Sequence, residues 1–192
     1  MLITFVMRTY YIPSVSMVPT LAVRDVLLVD ELAYRFGKPH SGDVVIFMPP
    51  VQSHGNAFVK RVIGVPGDRI AVDGGVVYRN GVALNEPYEN QPPRYDLQIK
   101  NYGIYVNGAA LDPRVADVPP RRYWQAPDRV PDGFYLMLGD NRNYSDDSHV
   151  WGFAQNSGRF AAGPLAHAKE RAEFIGRAFL IVWPFGRLRV LK

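Results

Sequence analysis

AFVKRVIGV, residues 57–65, is the stretch that decides the fold. Its valines, isoleucine and phenylalanine favour extended backbone, and a proline follows to end the run. Two comparable runs precede it, RDVLLVDE (24–31) and GDVVIFMP (42–49). It is followed by DRIAVDGGVVYRNGVAL (68–84), where DGG and NG favour tight hairpin turns because glycine accepts positive φ. The sequence therefore predicts a mainly β protein that begins as a meander of short strands.

The second half of the chain interrupts this pattern and then resumes it. Residues 85–131 contain eight prolines and no sustained period of 2 or 3.6, so we expect an irregular inserted lobe. Strand patterns return at GFYLMLGD (133–140) and GRAFLIVWPF (176–185). Between them, GPLAHAKERAEF (163–174) predicts one short helix near the C-terminus, because Pro164 suits the first turn and the alanines and charged residues favour helix.

Composition limits the classes of function. The chain has 192 residues, 47% of them hydrophobic, which is enough to bury the core of one domain. It has no cysteine, which excludes disulfides, thiolate metal sites and thiol nucleophiles. Its 22 basic and 18 acidic residues give a net charge of +4 without a long run of one sign, so a nucleic-acid partner is not indicated. The mildly basic balance suits an anionic membrane surface slightly better.

The N-terminal run MLITFV, residues 1–6, is apolar but far shorter than the ~20 residues that span a bilayer. It also lacks the charged start and the small-residue cleavage site of a signal peptide. Two interpretations stay open for residues 1–11. They begin an ordinary first strand, or they are the remnant of a membrane anchor. No other segment of the sequence is long and apolar enough to span a membrane.

IPSVSMVPTL, residues 12–21, is the first of three stretches that could carry chemistry. Pro13 and Pro19 fix φ on either side of Ser14 and Ser16, so both hydroxyls lie on a restrained loop. A nucleophile needs such restraint, although a loop of serine and proline is by itself usually a turn.

Lys60 and Arg61, in FVKRVIGVPGDRI (58–70), form the second candidate. Neighbouring strand residues point to opposite faces, so one of the two cations points inward if one face is core. Either both side chains reach water, as most lysines do, or Lys60 lies in an apolar site. In an apolar site desolvation lowers the pKa of a lysine, and a neutral lysine is a usable general base.

The third stretch, LGDNRNYSDDSHVWGF (138–153), concentrates Asp, Asn, Ser, Arg and His. It is either a polar loop of Asx-turns or a set of hydroxyls and carboxylates that braces catalytic groups. A polar loop alone does not explain why Trp151 and Phe153 follow at once.

In this order, IPSVSMVPTL, GDVVIFMPP, FVKRVIGVPGDRI and GDNRNYSDDSHVWGF resemble the conserved boxes of bacterial type I signal peptidases, and GRAFLIVWP is similar near the end. The resemblance implies a signal-peptidase-like β-fold and a membrane-associated serine endopeptidase of the S26 family. Its substrates would be the signal peptides of exported preproteins, cleaved after small residues of the Ala-X-Ala type. It implies no metal and no cofactor, a membrane lipid surface as a further partner, and no nucleic acid.

The resemblance also implies an organisation and a location. Residues 12–84 and 132–192 would form the catalytic β-domain, residues 85–131 the inserted lobe, and residues 1–11 the remnant of the anchor. The enzyme would lie at the bacterial cytoplasmic membrane with its catalytic domain on the extracytoplasmic side.

Individual residues match functional positions of the family. Ser16 matches the nucleophile and Lys60 its general base, while Ser14 matches the side-chain donor of the oxyanion hole and Ser145 the serine that orients the lysine amine. Structural charged positions are matched by Arg61, Asp140 and Asp147. The apolar pockets for small side chains at −1 and −3 of a signal peptide are matched by Ile12, Pro13, Met17, Leu21, Leu27, Ile46, Phe58 and Val59.

Three features depart from the family pattern. Val15 occupies a position often taken by glycine. His149 stands where an arginine commonly pairs with the preceding aspartate, so we expect that ion pair to depend on pH. The family's N-terminal membrane spans have no counterpart in the 192 residues, which we attribute to a truncated chain or a late start.

Three other classes of protein remain as alternatives. A self-cleaving repressor of the SOS type shares the Ser–Lys logic but needs a DNA-binding helix-turn-helix before the dyad, and only nine residues precede Tyr10. A hydrolase could use Ser148 or Ser16 with His149 and Asp147 as a triad, although adjacent loop residues rarely converge on one another. A non-enzymatic β-module would use all three stretches as structural loops.

Overall fold

The structure is a computed structural model that describes residues 7–50, 56–113, 116–156 and 173–191. Within these ranges the chain is mainly β, as predicted, and its two α-helices are single turns, α1 (Ala33–Phe36) and α2 (Ser148–Trp151). The described strands, in chain order, are β1 (Met7–Tyr11), β2 (Val26–Asp30), β3 (Val44–Met48), β4 (Phe58–Gly64), β5 (Ile70–Asp73), β6 (Val76–Arg79), β7 (Val82–Ala83), β8 (Leu97–Lys100), β9 (Gly103–Val106), β10 (Ala109–Ala110), β11 (Phe134–Leu138), β12 (Ala154–Gln155), β13 (Glu173–Trp183) and β14 (Arg189–Val190).

The first sheet carries both ends of the described chain. Its hydrogen-bonded order is β1-β2-β13-β3-β4-β11-β12, and β14 pairs with β13. All of these neighbours are antiparallel. The predicted meander is wrong for its first part, because β13 lies between β2 and β3. Backbone groups of β2 and β3 find partners on a strand that is more than 120 residues away in sequence.

The second sheet has the order β10-β9-β8-β5-β6-β7. The two predicted hairpin turns are confirmed, with Gly74 and Gly75 both at positive φ between β5 and β6, and Asn80 and Gly81 both at positive φ between β6 and β7. Such turns match the right-handed twist of the strands they join.

Residues 85–131 are not irregular throughout, contrary to the prediction. They contain β8, β9 and β10, and β8 pairs with β5, so the second sheet crosses the boundary expected between residues 84 and 85. The strands are two to four residues long, which is too short to produce a detectable period. The prolines of this region all precede β8 or follow β10.

The structure differs from the elements expected at residues 1–11 and 163–174. Residues 7–11 of the range assigned to an anchor remnant form β1, which pairs along its whole length with β2. Residues 157–172 hold most of the predicted helix and lie outside the described residues, as do residues 1–6. Glu173 and Phe174 begin β13 instead of ending a helix, because their backbones pair with β3. Among the described residues, no helix is both long and apolar enough to cross a membrane.

The core is divided among three clusters because β3, β4 and β11 are covered on both faces. On β3, Val44 and Ile46 join one cluster while Val45 and Phe47 join another. On β11, Leu136 and Leu138 pack with the second sheet, and Met137 faces the other way. A strand with two buried faces leaves no water-facing side for a charged residue, and this decides the environment of the site.

Candidate active site

Ser16 and Lys60 meet at the centre of the site. Ser16 lies on the loop between β1 and β2, and Lys60 lies in the middle of β4. Lys60 Nζ donates a hydrogen bond to Ser16 Oγ over 2.9 Å, across a separation of 44 residues. The two residues are only 4% and 6% exposed. The first and second candidate stretches therefore form a single buried pair.

Burial governs the protonation of Lys60. Desolvation lowers the pKa of its amine, and the negative charges of Asp147, Asp146 and Asp140 act in the opposite direction. The ring of Phe58 lies 5.3 Å from Nζ. Since the desolvation effect is larger, the amine gives up its proton more readily than that of a solvated lysine.

Arg61 is also buried, so the alternative in which both cations reach water is wrong. Its guanidinium donates two hydrogen bonds to the Asp140 carboxylate, at 2.8 and 2.7 Å, and a third to the carbonyl of Gly42 at 2.8 Å. The ring of Tyr88 covers it at 3.8 Å. The permanent charge is thereby neutralised beside Asp140 and away from Ser16.

The backbone around Ser16 is held on both sides. Leu21 N–H donates to the Met17 carbonyl at 2.8 Å, which closes a turn just after the serine. Asn141 N–H donates to the Ser16 carbonyl at 3.0 Å, and Asn141 Nδ2 donates to the Val15 carbonyl at 3.1 Å. The third candidate stretch thus clamps the loop that carries the first.

The two remaining serines differ in their surroundings. Ser14 is exposed, and its hydroxyl lies 3.4 Å from Ser16 Oγ. Ser145 is buried, and its hydroxyl has no hydrogen-bond partner within the described part of the chain. A hydrogen bond from Ser145 to Lys60 is therefore not formed. Val15 is about half exposed, so its branched side chain is accommodated in the serine loop.

Asp147 connects the polar loop, residues 139–149, to the Ser16–Lys60 pair. One carboxylate oxygen accepts a hydrogen bond from Gly139 N–H at 2.9 Å. The other lies 2.7 Å from His149 Nδ1 and also caps the first turn of α2 by accepting from His149 N–H. The predicted pairing of Asp147 with residue 149 is present.

The residues matched to the substrate pockets separate into two groups. Ile12, Met17, Leu21, Leu27, Ile46 and Val59 belong to one buried cluster. Phe58 packs against the opposite cluster, with its ring 6.4 Å from that of Phe47, and Pro13 is exposed. Six of the eight positions are thus brought together beside the Ser16 loop.

The triad alternative does not fit the geometry. Ser148 is fully buried, and its hydroxyl accepts a hydrogen bond from Met137 N–H at 2.8 Å, so it cannot meet a substrate. Nδ1 of His149 faces Asp147, and the imidazole stacks on Tyr95. Neither described contact of His149 leads to Ser16.

Comparison with known proteins decides the family. The model of the signal peptidase family, peptidase S26, matches residues 1–183. The chain belongs to this family. It is 38% identical to a probable signal peptidase I-2 of Synechocystis sp., over 98% of this chain and 68% of that protein. It is 37% identical to a signal peptidase I of Leptolyngbya laminosa (96% and 73%) and 32% identical to a signal peptidase IB of Staphylococcus aureus (96% and 82%).

A crystal structure of a signal peptidase I from Enterococcus faecalis V583 aligns with a TM-score of 0.41 at 29% identity, over 62% of this chain and 90% of that one. Membership of the signal peptidase family confirms the resemblance drawn from the four sequence boxes. The expected class is also confirmed: the chain is a serine endopeptidase, a hydrolase whose family acts on the signal peptides of preproteins. The repressor and the non-enzymatic module are set aside on the same ground.

Sequence reasoning missed several residues that support this peptidase site. Gly139 has no room for a side chain, since a Cβ there would lie 2.5 Å from the Ser16 carbonyl oxygen and would overlap the Ser145 hydroxyl. Arg142 is fully buried and donates two hydrogen bonds of 2.8 Å to Glu86. Glu86 belongs to residues 85–131, the region that was expected to be irregular. The sequence signal for Gly139 was its place between a strand and the polar loop, whereas nothing local singles out Glu86.

Proposed function

We propose that Ser16 is the nucleophile and Lys60 the general base of a peptidase that removes signal peptides from exported preproteins. The observation that carries the proposal is the 2.9 Å separation of Lys60 Nζ from Ser16 Oγ in a buried site. Hydrogen-bond reach between nucleophile and base is the first requirement of this chemistry. The lowered pKa of Lys60 meets the second requirement, because only a neutral amine accepts the serine proton.

The reaction then proceeds in two halves. Ser16 Oγ forms a bond to the scissile carbonyl carbon while its proton passes to Lys60 Nζ. When the peptide C–N bond breaks, Lys60 returns that proton to the leaving amine, and an ester with Ser16 remains. Lys60 next takes a proton from water, the resulting hydroxide attacks the ester, and Ser16 Oγ leaves with the proton. No metal ion or cofactor enters any step.

Ser14 is proposed to donate to the oxyanion, together with the backbone N–H of Ser16. The 3.4 Å between the two hydroxyls supports this role, since the oxyanion forms close to the attacking oxygen. Removal of one donor of this kind typically raises the barrier by ~2.7–4 kcal/mol. Ser145 is proposed to orient the Lys60 amine once the substrate has displaced solvent, and its hydroxyl, which has no partner among the described residues, is free to do so.

We place the working enzyme at the bacterial cytoplasmic membrane, with the catalytic domain on the extracytoplasmic side. The supporting observation is an apolar end of the first sheet, defined by Tyr11, Trp183, Phe185 and Leu188, all of them exposed. Tyr11 and Trp183 both pair with Val26, so they lie at the same end of β2, next to the loop that carries Ser16. A membrane-embedded substrate delivered there would meet the nucleophile.

The dyad is tested by peptide cleavage across pH with single substitutions. Ser16→Ala and Lys60→Ala should each abolish cleavage while thermal unfolding stays cooperative, since each change removes a reacting group. In the unsubstituted enzyme, activity should be lost as the pH falls through the folded pKa of Lys60, which burial places below that of a free lysine. The amine is neutral only above that value.

His149→Ala is the control for the triad. It should keep most of its activity at alkaline pH, because an imidazole has no proton-transfer role in a Ser–Lys dyad. A dead His149→Ala enzyme beside an active Lys60→Ala enzyme would replace the dyad with a triad.

A further inference from the structure

Residues 86–95 make a series of contacts with the polar loop, residues 139–149. We call residues 86–95 the strap, because they run from the second sheet across that loop. The contacts of the strap with that loop and with Arg61 are Glu86 with Arg142, Tyr88 with Arg61, Asn90 with Asp140 and Asn141, Pro92 and Arg94 with Asn143, and Tyr95 with His149. The strap is therefore fixed to the same loop that clamps Ser16.

Tyr95 ends the strap with a stacked contact. Its ring lies 4.2 Å from the His149 imidazole, centroid to centroid, at an interplanar angle of 8°. Tyr95 is buried, and its hydroxyl has no hydrogen-bond partner within the described residues. The face of the ring, and not the hydroxyl, is what Tyr95 contributes here.

The stacked His149 imidazole is hydrogen-bonded to Asp147, and this contact defines which ring nitrogen carries the hydrogen. A carboxylate only accepts hydrogen bonds, so the 2.7 Å contact requires Nδ1 of His149 to carry a hydrogen and donate it to Oδ1. Asp147 is fully buried, whereas the His149 side chain is 20% exposed. Of the three carboxylates that act on Lys60, Asp147 has the largest influence. Contacts therefore join Tyr95 to His149 and His149 to Asp147, and Asp147 acts on Lys60 through its charge.

We propose that Tyr95 and His149 are positioning residues that hold and partly neutralise the Asp147 carboxylate, and so set how readily Lys60 accepts the Ser16 proton. This inference rests on the proposed role of Lys60. It also gives the strap a function, since the strap delivers the Tyr95 ring to the site.

The direction of the effect follows from electrostatics. An N–H group on Oδ1 withdraws part of the negative potential that Asp147 exerts on Lys60. Without the imidazole, that potential favours the ammonium form of Lys60, so the pH needed for activity rises. A change of one pH unit in the midpoint corresponds to a roughly tenfold change in activity well below it.

Other charged groups around these residues must be kept constant in the test. Lys60 is faced by Asp140, Asp146 and Asp147, and Tyr95 is faced by Asp147, Arg142, Glu86 and Glu89. The substitutions are therefore confined to residues 95 and 149, and each is matched by a variant that preserves the proposed contact.

The experiment measures the pH midpoint of peptide cleavage and the titration of Lys60 by carbon-13 NMR of the lysine side chains. The full chain has five lysines, Lys38, Lys60, Lys100, Lys169 and Lys192. The Lys60 signal is the one that disappears from the spectrum of Lys60→Arg. His149→Ala and Tyr95→Ala should both raise the two midpoints by roughly 0.5 to 1 pH unit, in line with the loss of one hydrogen-bond donor to a buried carboxylate. A merely structural role would lower the amount of folded enzyme without moving either midpoint.

Two conservative variants should restore the unsubstituted midpoints. Tyr95→Phe keeps the stacked ring and removes only a hydroxyl that has no hydrogen-bond partner in the described part of the chain. His149→Arg keeps a donor to Asp147, adds a permanent positive charge and can stack on Tyr95, so its midpoint should be equal or lower.

Unchanged midpoints of cleavage and of the Lys60 titration in folded His149→Ala would overturn the inference. It would also be overturned if Tyr95→Phe raised these midpoints as much as Tyr95→Ala does. If Tyr95→Ala does not fold, His149→Ala decides, because its partly exposed side chain leaves little of the core to lose. The failure of the proposed function gives a different result. In that case Lys60→Ala would still cleave, whatever the NMR midpoints show.

Discussion

Gly139 lies where the polar loop meets the loop that carries Ser16. Its own N–H is bound to Asp147, and a Cβ at this position would lie 2.5 Å from the Ser16 carbonyl oxygen. That oxygen is held by Asn141 N–H, so it cannot move aside freely. The absence of a side chain at residue 139 is what allows the two loops to approach each other.

Gly139→Ala should therefore damage both stability and catalysis. Overpacking a site of this kind typically costs ~1–3 kcal/mol, and here the strain acts directly on Ser16, the proposed nucleophile. We expect a lower midpoint of thermal unfolding and a fall in kcat that is larger than the change in KM. Gly186→Ala is the matched control, because its added methyl group meets open space. Equal unfolding midpoints and equal kcat values for Gly139→Ala and Gly186→Ala would contradict this account of Gly139.

Lys60 and Arg61 show how neighbouring cations acquire different roles. They point to opposite faces of β4, and each face is covered. Arg61 finds a carboxylate at 2.7 Å, whereas Lys60 Nζ finds a serine hydroxyl. Desolvation makes the buried Lys60 amine lose its proton more readily, whereas the Arg61 guanidinium is matched by the opposite charge of Asp140. The chemistry of the site follows from this difference in partners.

At the scale of elements, the buried apolar cluster beside Ser16 is built by parts distant in sequence. Leu27 comes from β2, Ile46 from β3 and Val59 from β4, and the serine loop adds Ile12, Met17 and Leu21. Strands paired in register hold these side chains rigidly, so the cluster has little freedom to enlarge.

This packing predicts a preference for alanine or another small residue at −1 and −3 of the cleaved peptide. A larger side chain at −1 should cost ~1–3 kcal/mol, roughly a 5- to 150-fold loss in kcat/KM. A peptide series that varies only residue −1 measures this directly. Ile46→Ala, which removes volume from the cluster, should reduce the discrimination against a larger residue. Efficient cleavage after Phe or Leu by the unsubstituted enzyme would refute the prediction.

At the scale of the whole molecule, exposed apolar side chains are found at both ends of β2. The apolar end, defined above by Tyr11, Trp183, Phe185 and Leu188, adjoins the Ser16 loop. Phe36, the most exposed of the described large apolar residues at 90%, follows Asp30 at the opposite end of the strand. The two positions can therefore be compared within one protein.

We expect the chain to bind anionic vesicles at low salt through its apolar end. Replacing both Trp183 and Phe185 by serine should reduce flotation with liposomes by roughly tenfold or more, because each aromatic side chain contributes ~1.5–3 kcal/mol when buried. Phe36→Ser should leave flotation unchanged. Absence of binding by the unsubstituted chain at low salt would count against membrane association through this surface, and equal losses in both variants would assign the binding elsewhere.

The sequence by itself determined the local features of this protein. Runs of β-branched residues predicted β2, β3 and β4, and DGG and NG predicted the turns of the second sheet, because both signals act over a few residues. The pair Asn107–Gly108, also at positive φ, carries the same hairpin signal inside residues 85–131, where the number of prolines obscured it. Ser16 and Lys60, which the structure brings into hydrogen-bond contact, were likewise candidates drawn from short boxes.

Only the tertiary structure decided how these features meet. The insertion of β13 between β2 and β3, the burial of both faces of β4 and the path of the strap depend on pairings between residues from about 40 to 160 apart. No local propensity encodes such distances, because they result from the simultaneous burial of three apolar clusters and the pairing of every strand between them. The 2.9 Å contact of Lys60 with Ser16 is a product of that packing.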